Sequence, residues 1–339
     1  MVIGGTIGLL LILAAVTVFV DPFLHYHAPL SFLEYPLKDE RYQNNGIAKN
    51  FEYDALITGT SMTQNFKASD FERLWGVKTV KTAYTGATYH ELGECIRRAL
   101  KYKPDLQYVL CSLDGNWLFN PADYDRYEDY PEYLFDVNPL NDVNYVLNKE
   151  VVPKTIAVIN YTRAGEKTPT MDEYGNWNDY MTFGREAVFS SFTKVDIREE
   201  EVVLSEEDLL MVRESIEQNY LSVALENPET EFYFFLPPYS ICCWEAWTRT
   251  KQLKSQLQAE EVAVKLLLSA ENMHVYSFED RIDIIGNLDN YGDTLHYGEW
   301  INEEILQCIY EGKGELTLDN VSEFYDQVYE LYANYEYVY

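Results

Sequence analysis

Residues 54–63 read D-A-L-I-T-G-T-S-M-T. The apolar and β-branched run ending at Thr58 suits a short strand buried on both faces. Gly59 breaks the run, and a helical pattern begins just past Thr60 and Ser61. A serine just past a strand, at the start of a helix, is exposed at the edge of the sheet. Backbone N–H groups there can hold an oxyanion. The turn is not G-x-S-x-G, so the ordinary α/β-hydrolase elbow is absent. Read alone, Ser61 is either a nucleophile or a helix-capping serine.

Working outward, four more β-rich runs stand out: 77–84, 108–114 (Y-V-L-C-S-L-D), 231–237 (E-F-Y-F-F-L-P) and 273–278. Helical patterns separate them. Residues 89–102 put Leu92, Cys95, Ile96 and Ala99 on one face, and 206–225 space Leu209, Leu210, Val212, Ile216 and Leu221 helically. Residues 250–270 and 299–310 complete the set. Strands alternating with helices predict an α/β domain, a doubly wound five-stranded parallel sheet covered on both faces. The stretch 119–201, rich in Tyr, Asp, Asn and Pro, breaks the rhythm and reads as an insertion near the carboxyl ends of the strands. The domain is expected over 49–312, followed by an acidic tail, 313–339, in which Val321, Phe324, Val328 and Leu331 fall at helical spacing.

A second chemical signal lies at Asp293-Thr294-Leu295-His296, before a helix that opens near Gly298. A serine hydroxyl needs a base to become a nucleophile, and an imidazole serves best when a carboxylate fixes its tautomer. Asp293 and His296 can supply both groups from one turn. Of the five histidines, His25 and His27 follow the apolar N-terminus, His90 begins a helix and His274 lies within a strand. His296 alone follows the last strand with an acid at the right offset.

Residues 2–20 carry no charged side chain. About 20 apolar residues can span a bilayer core, so an uncleaved, single-pass transmembrane helix is expected at 1–20, with a juxtamembrane segment at 21–48. A signal peptide is the rival, but the run continues into Asp21-Pro22-Phe23 with no small-residue cleavage site. The cluster at 23–27 reads as an interfacial belt. The net charge of −30 repels nucleic acid, so none is expected as a partner. Neither a metal nor a cofactor is expected, because the acid is spread along the chain and the five cysteines show no C-x-x-C or zinc spacing. The 29 tyrosines suit half-buried surfaces and sugar-binding clefts. Within the insertion, N-W-N-D-Y at 176–180 is an amide–aromatic cluster. Trp117, Tyr124, Trp177 and Tyr180 are the candidate substrate contacts.

G-T-S-M-T after the first strand and D-N-Y-G-D-T-L-H-Y-G-E-W-I-N at 289–302 resemble the first and last blocks of the SGNH (GDSL-like) hydrolase superfamily. The C-terminal block resembles that of its membrane-anchored bacterial cell-envelope branch, similar to the teichoic-acid D-alanyl-transfer protein and the alginate-acetylation proteins. The resemblance spans about residues 50–312. It implies Ser61 as nucleophile, His296 as base and Asp293 as its orienter. The oxyanion hole would be formed by Ser61, by Gly86 in T-A-Y-T-G-A-T, and by Asn116 in S-L-D-G-N-W. Two departures stand out: G-T-S replaces G-D-S, and the G-x-N-D spacing is lost, so that Asp114 could instead contact the loop of Ser61. The function implied is a serine esterase or O-acyltransferase, acting on acyl esters of a cell-envelope glycan or glycopolymer from the extracytoplasmic side of the cell membrane. The alternative is a catalytically silent binding or accessory protein that partners a membrane-bound O-acyltransferase. A phosphate-binding doubly wound domain is a third reading, disfavoured by the acidic charge and by the lack of Lys or Arg at the G-T-S turn.

Overall fold

The structure, a computed structural model, describes residues 2–127, 131–136, 138 and 140–337, with side chains from Gly4 onward. The chain opens with helices α1 (Val2–Val20) and α2 (Glu40–Asn50). A βα alternation follows: β1 (Ala55–Thr58), α3 (Ser61–Gln64), α4 (Ala68–Trp75), β2 (Thr79–Lys81), α5 (Tyr89–Tyr102) and β3 (Tyr108–Ser112). The insertion holds α6 (Val143–Val146), α7 (Val151–Arg163) and α8 (Arg185–Ser191). Next come α9 (Glu206–Ile216), α10 (Ser222–Glu226), β4 (Glu231–Leu236), α11 (Ile241–Arg249), α12 (Leu253–Leu267) and β5 (Met273–Ser277). The chain closes with α13 (Ile282–Ile285), α14 (Glu299–Tyr310), β6 (Glu315–Leu316) and α15 (Val321–Ala333).

The strands form one sheet in the order β2-β1-β3-β4-β5-β6. The first five are parallel and each lies within an expected run, whereas β6 adds an antiparallel edge to β5. That sixth strand was not expected, since two residues carry no period. Successive side chains of a strand face opposite sides, and β4 shows the two layers. Tyr233 meets Trp75 of α4 at 5.9 Å, and Trp75 meets Tyr310 of α14 at 5.1 Å. Phe234, one residue on, meets Tyr220, in the π turn joining α9 to α10, at 4.9 Å on the other side. Leu92, Cys95, Ile96 and Ala99 are buried on α5, as their spacing predicts.

The N-terminal region departs from expectation in its packing. At 1.5 Å per residue the 19 residues of α1 rise about 28 Å. Among the described residues no helix is long and apolar enough to cross a membrane. Nor does α1 stand clear of the domain: α6 and α7 pack against it, and Thr17 and Val20 are buried. The cluster expected to be an interfacial belt is a tight turn around buried Asp21. Its carboxylate accepts the amides of His25 (2.9 Å), Tyr26 (2.7 Å) and His27 (3.0 Å) and the hydroxyl of Tyr145 (2.6 Å). Helix α2 buries Gln43, Asn44 and Asn45 within the domain. A polar helix of this kind has no apolar stripe to announce it.

Candidate active site

The turn after β1 is built for close approach. Gly59 has φ +138°, and a Cβ there would lie 2.6 Å from Thr63 and 2.7 Å from the Ser112 hydroxyl. Thr60 caps the single turn of α3 by accepting the Met62 amide. Ser61 follows directly, half-buried at the carboxyl edge of the sheet.

Across 235 residues of chain, Ser61 Oγ lies 2.7 Å from His296 Nε2. His296 Nδ1 lies 2.7 Å from Asp293 Oδ2, while Asp293 Oδ1 accepts the amides of Leu295 (2.8 Å) and His296 (2.7 Å). Burial alone would push the Asp293 carboxyl up. The hydrogen bond and charge of His296, with those two amides, outweigh it and hold the group below the usual carboxylate range. A carboxylate at Nδ1 keeps the proton on that nitrogen and leaves Nε2 free to accept from the serine hydroxyl. The three residues expected to converge are thus hydrogen-bonded in series.

Asp114 does contact the loop of Ser61. It is buried and accepts the hydroxyls of Thr60 (3.0 Å), Ser112 (2.5 Å) and Tyr239 (3.0 Å). Burial raises its pKa, against the lowering effect of these three donors. A carboxylate just past the end of β3 therefore sits beside Thr60. Of the oxyanion candidates, Gly86 sits in the loop after β2 at φ +62°. Among the described residues, the amides of Ser61 and Gly86 donate to no protein acceptor. Asn116 lies in the turn Gly115–Trp117 with its side chain exposed.

The loop of Gly86 is fixed from α2 and α3. Glu40 accepts the Thr85 amide (2.9 Å) and the Gln64 side chain, and Gln64 also donates to the Thr85 hydroxyl (2.9 Å). Arg41 donates to the Thr85 carbonyl (2.9 Å) and pairs with buried Glu91 (2.9 Å). Beneath α3, the Lys81 ammonium is buried and donates to the carbonyls of Gln64 (2.5 Å), Phe66 (2.9 Å) and Asp172 (3.3 Å). Burial brings its pKa down to about 7, against the raising charges of Asp172, Glu40 and Glu299. Asn302 of α14 closes the frame by donating to the Met62 carbonyl (2.9 Å).

The insertion returns to this site through N-W-N-D-Y. Trp177 Nε1 donates to the Ser61 carbonyl (3.0 Å), and its indole meets the His296 ring edge-on at 5.3 Å. Its own amide donates to Asn65 Oδ1 (3.0 Å). Asn176 donates to Glu299 Oε2 (3.1 Å) and Asn178 accepts the Glu299 amide (3.0 Å), so the two amide side chains pin the start of α14. Trp177 therefore ties the insertion to the Ser61 turn. Tyr180 is 90 % exposed. Trp117 stands with Tyr124 at 6.4 Å. Phe183 and Trp300, which the sequence reading passed over, extend the aromatic wall beside Trp177 at 6.4 Å and 5.0 Å in turn.

No family model matches the chain, and no curated protein matches it. Among solved structures it is similar to a Streptococcus pneumonia protein provisionally described as a platelet activating factor, with 12 % identity, 80 % of this chain and 90 % of that chain covered, and a TM-score of 0.40. That likeness is too distant to bear on the activity of this chain. What the fold and site define on their own is an α/β domain with a Ser–His–Asp hydrogen-bond series at the carboxyl edge of its parallel strands.

Proposed function

We propose that the protein is a serine esterase or O-acyltransferase that works through an acyl-Ser61 intermediate. The observation that carries this reading is the Ser61–His296–Asp293 series, with both links at 2.7 Å. Ser61 Oγ attacks the ester carbonyl while His296 Nε2 takes its proton, and the developing oxyanion meets the free amides of Ser61 and Gly86. The imidazolium, stabilised by Asp293, then protonates the leaving alkoxide. Water or a second hydroxyl repeats the sequence on the acyl-enzyme, and Ser61 regains its proton. Hydrolase and transferase share every step except the identity of that second nucleophile.

The substrate class we infer is an acyl ester of a cell-envelope glycan or glycopolymer, on the strength of the resemblance in the two end blocks. We also infer that α1 tethers the domain to the membrane from its extracytoplasmic side, with a membrane-bound O-acyltransferase as a candidate partner. In support, Leu9, Leu11 and Ile12 of α1 are all more than 60 % exposed, an apolar surface that water disfavours. A fluorophosphonate probe tests the core of the reading. Ser61 should be labelled in the full chain, Ser61→Ala should abolish labelling, and Asp293→Asn should slow it strongly. An unlabelled Ser61 in folded protein would favour the silent accessory role instead.

A further inference from the structure

Two buried carboxyls play no part in the triad. Glu260 of α12 and Glu279, just past β5, are 1 % and 2 % exposed and face each other in the core. Glu260 Oε1 accepts the Gln256 side chain (2.7 Å), and Glu279 accepts the Ser277 hydroxyl (3.1 Å). Glu260 Oε2 meets no protein donor; what it meets is the Glu279 carboxyl. Two ionised carboxylates would repel strongly at such contact in a dry interior, so a proton lies between them. Among the described residues no Lys or Arg pairs with either group, and Lys265 of α12 pairs with Glu261 instead (2.7 Å). The ionisable groups turned toward the pair are Asp280 beside Glu279, Cys243 of α11, Tyr89 of α5 and Tyr325 of α15, none of them a cation. Helix α9, which also packs on α12, buries Val212, Ser215 and Ile216, and the π turn after it buries Tyr220. Burial raises both carboxyls, Glu260 to about 7 and Glu279 well above the usual carboxylate range.

The pair is joined to the catalytic edge of the sheet through Gln256, one turn before Glu260 on the same face of α12. Gln256 Nε2 also donates to the Gly115 carbonyl (3.1 Å). A Cβ on Gly115 would lie 2.5 Å from both Gln256 Nε2 and Glu260 Oε1, so the turn rests directly on these two side chains. That turn carries Asn116 and follows Asp114, which accepts the hydroxyls of Thr60 and Ser112 beside Ser61. We propose that Glu260 and Glu279 form a proton-sharing pair that sets the position of the Asp114–Gly115 turn, and that loss of the proton slows acylation of Ser61. This rests on the esterase reading and deepens it, by naming a way in which pH regulates the site. Both glutamates are positioning residues that act through the turn. Once the proton leaves, the two charges repel with no cation to offset them. Glu260 then swings away, Gln256 loses one of its two acceptors, and the Gly115 carbonyl loses a fixed donor.

The test follows the rate of fluorophosphonate labelling of Ser61 in the full chain from pH 6 to pH 10, beside infrared detection of protonated carboxyl in the same samples. The wild-type rate should fall about fivefold or more as pH climbs from 7 to 10. Glu260→Gln puts in a group of the same shape that cannot ionise and can donate to Glu279. Its rate should hold within about twofold over that range. Glu279→Gln should behave alike, and it carries the comparison if E260Q does not fold. Gly115→Ala, which pushes the turn off the pair, should lower the rate at every pH. The protonated-carboxyl band of the wild type at pH 8 should weaken in the Glu260→Gln/Glu279→Gln double variant. A wild-type rate that stays flat, or an alkaline fall of the same size in E260Q and E279Q, overturns the regulation while the esterase reading stands. A band of full strength in the double variant also overturns it, because the pair then holds no proton. If Ser61 is labelled at no pH, the esterase reading has failed and this one falls with it.

Discussion

Lys81 offers the sharpest test of how the Ser61 turn is held. Its ammonium is 1 % exposed and donates to three backbone carbonyls, two of them at the end of the Ser61 turn. Burial lowers its pKa from 10.5 to about 7. A lysine whose folded pKa is depressed binds fewer protons in the folded state than in the unfolded one, so its share of stability rises with pH across that window and is lost as pH falls toward 7. At pH 9 the unfolded chain still holds the proton that the folded chain has given up. With about 1.4 kcal/mol per pKa unit, the gain between pH 7 and pH 9 is roughly 2 kcal/mol. Lys81→Met keeps most of the buried stem but leaves the carbonyls unpaired, a loss of about 1–3 kcal/mol that does not vary with pH. The measurement is urea unfolding of wild type and K81M at pH 7, 8 and 9, read as the difference between the two proteins so that other titrating groups cancel. The wild-type advantage should widen by roughly 2 kcal/mol over that range. A difference that stays flat means Lys81 remains charged when folded, and the buried-amine account is wrong.

Trp177→Phe removes the donor to the Ser61 carbonyl and keeps the aromatic edge toward His296; fluorophosphonate labelling should slow about fivefold to tenfold with little change in Tm, since one neutral hydrogen bond contributes about 1 kcal/mol. Gly86→Ala places a side chain at φ +62° and 2.7 Å from Arg126; it should cost at least about 1 kcal/mol of stability and lower kcat on every ester, neutral ones included. Glu260, buried beside Glu279, has its pKa raised by burial to about 7 from 4.5. A carboxyl raised in this way stabilises the fold at low pH and loses that contribution as pH climbs through 7, so Glu260→Gln should raise Tm at pH 8, by up to about 3 kcal/mol in stability, and leave it unchanged near pH 4.

The parts of the molecule that were legible are those whose residues carry a period or a motif. The runs containing β1 to β5 are short, apolar and bounded, and each became a strand. D-T-L-H and G-T-S stand out as short motifs with Ser, Asp and His at fixed offsets, and the two motifs meet at 2.7 Å. Trp177 was legible as an unusual residue but not as a positioning one, since its indole partner is a backbone carbonyl, which no side-chain pattern records. Lys81 was illegible for a related reason. In a strand it reads as an exposed edge position, and only the fold shows three carbonyls converging on its ammonium.

Helix α2 is an element that the sequence did not announce, and its role follows from its polarity. It takes hold of the turn after α1: Gln43 donates to the Pro22 carbonyl (3.1 Å), Lys49 to that of His25 (2.9 Å) and Asn50 to that of Leu24 (2.6 Å). It also reaches the site: Glu40 and Arg41 bracket Thr85, and Asn44 donates to the Ala83 carbonyl (2.9 Å). An apolar helix at this position could pack against both neighbours but could not satisfy their backbone groups, which are costly to leave unpaired once buried. Amides and charges on α2 do so, and they make one rigid connection from the base of the N-terminal helix to the loop that presents the Gly86 amide. The segment 21–48, expected to be juxtamembrane, is thereby part of the frame that sets the geometry of the Gly86 loop.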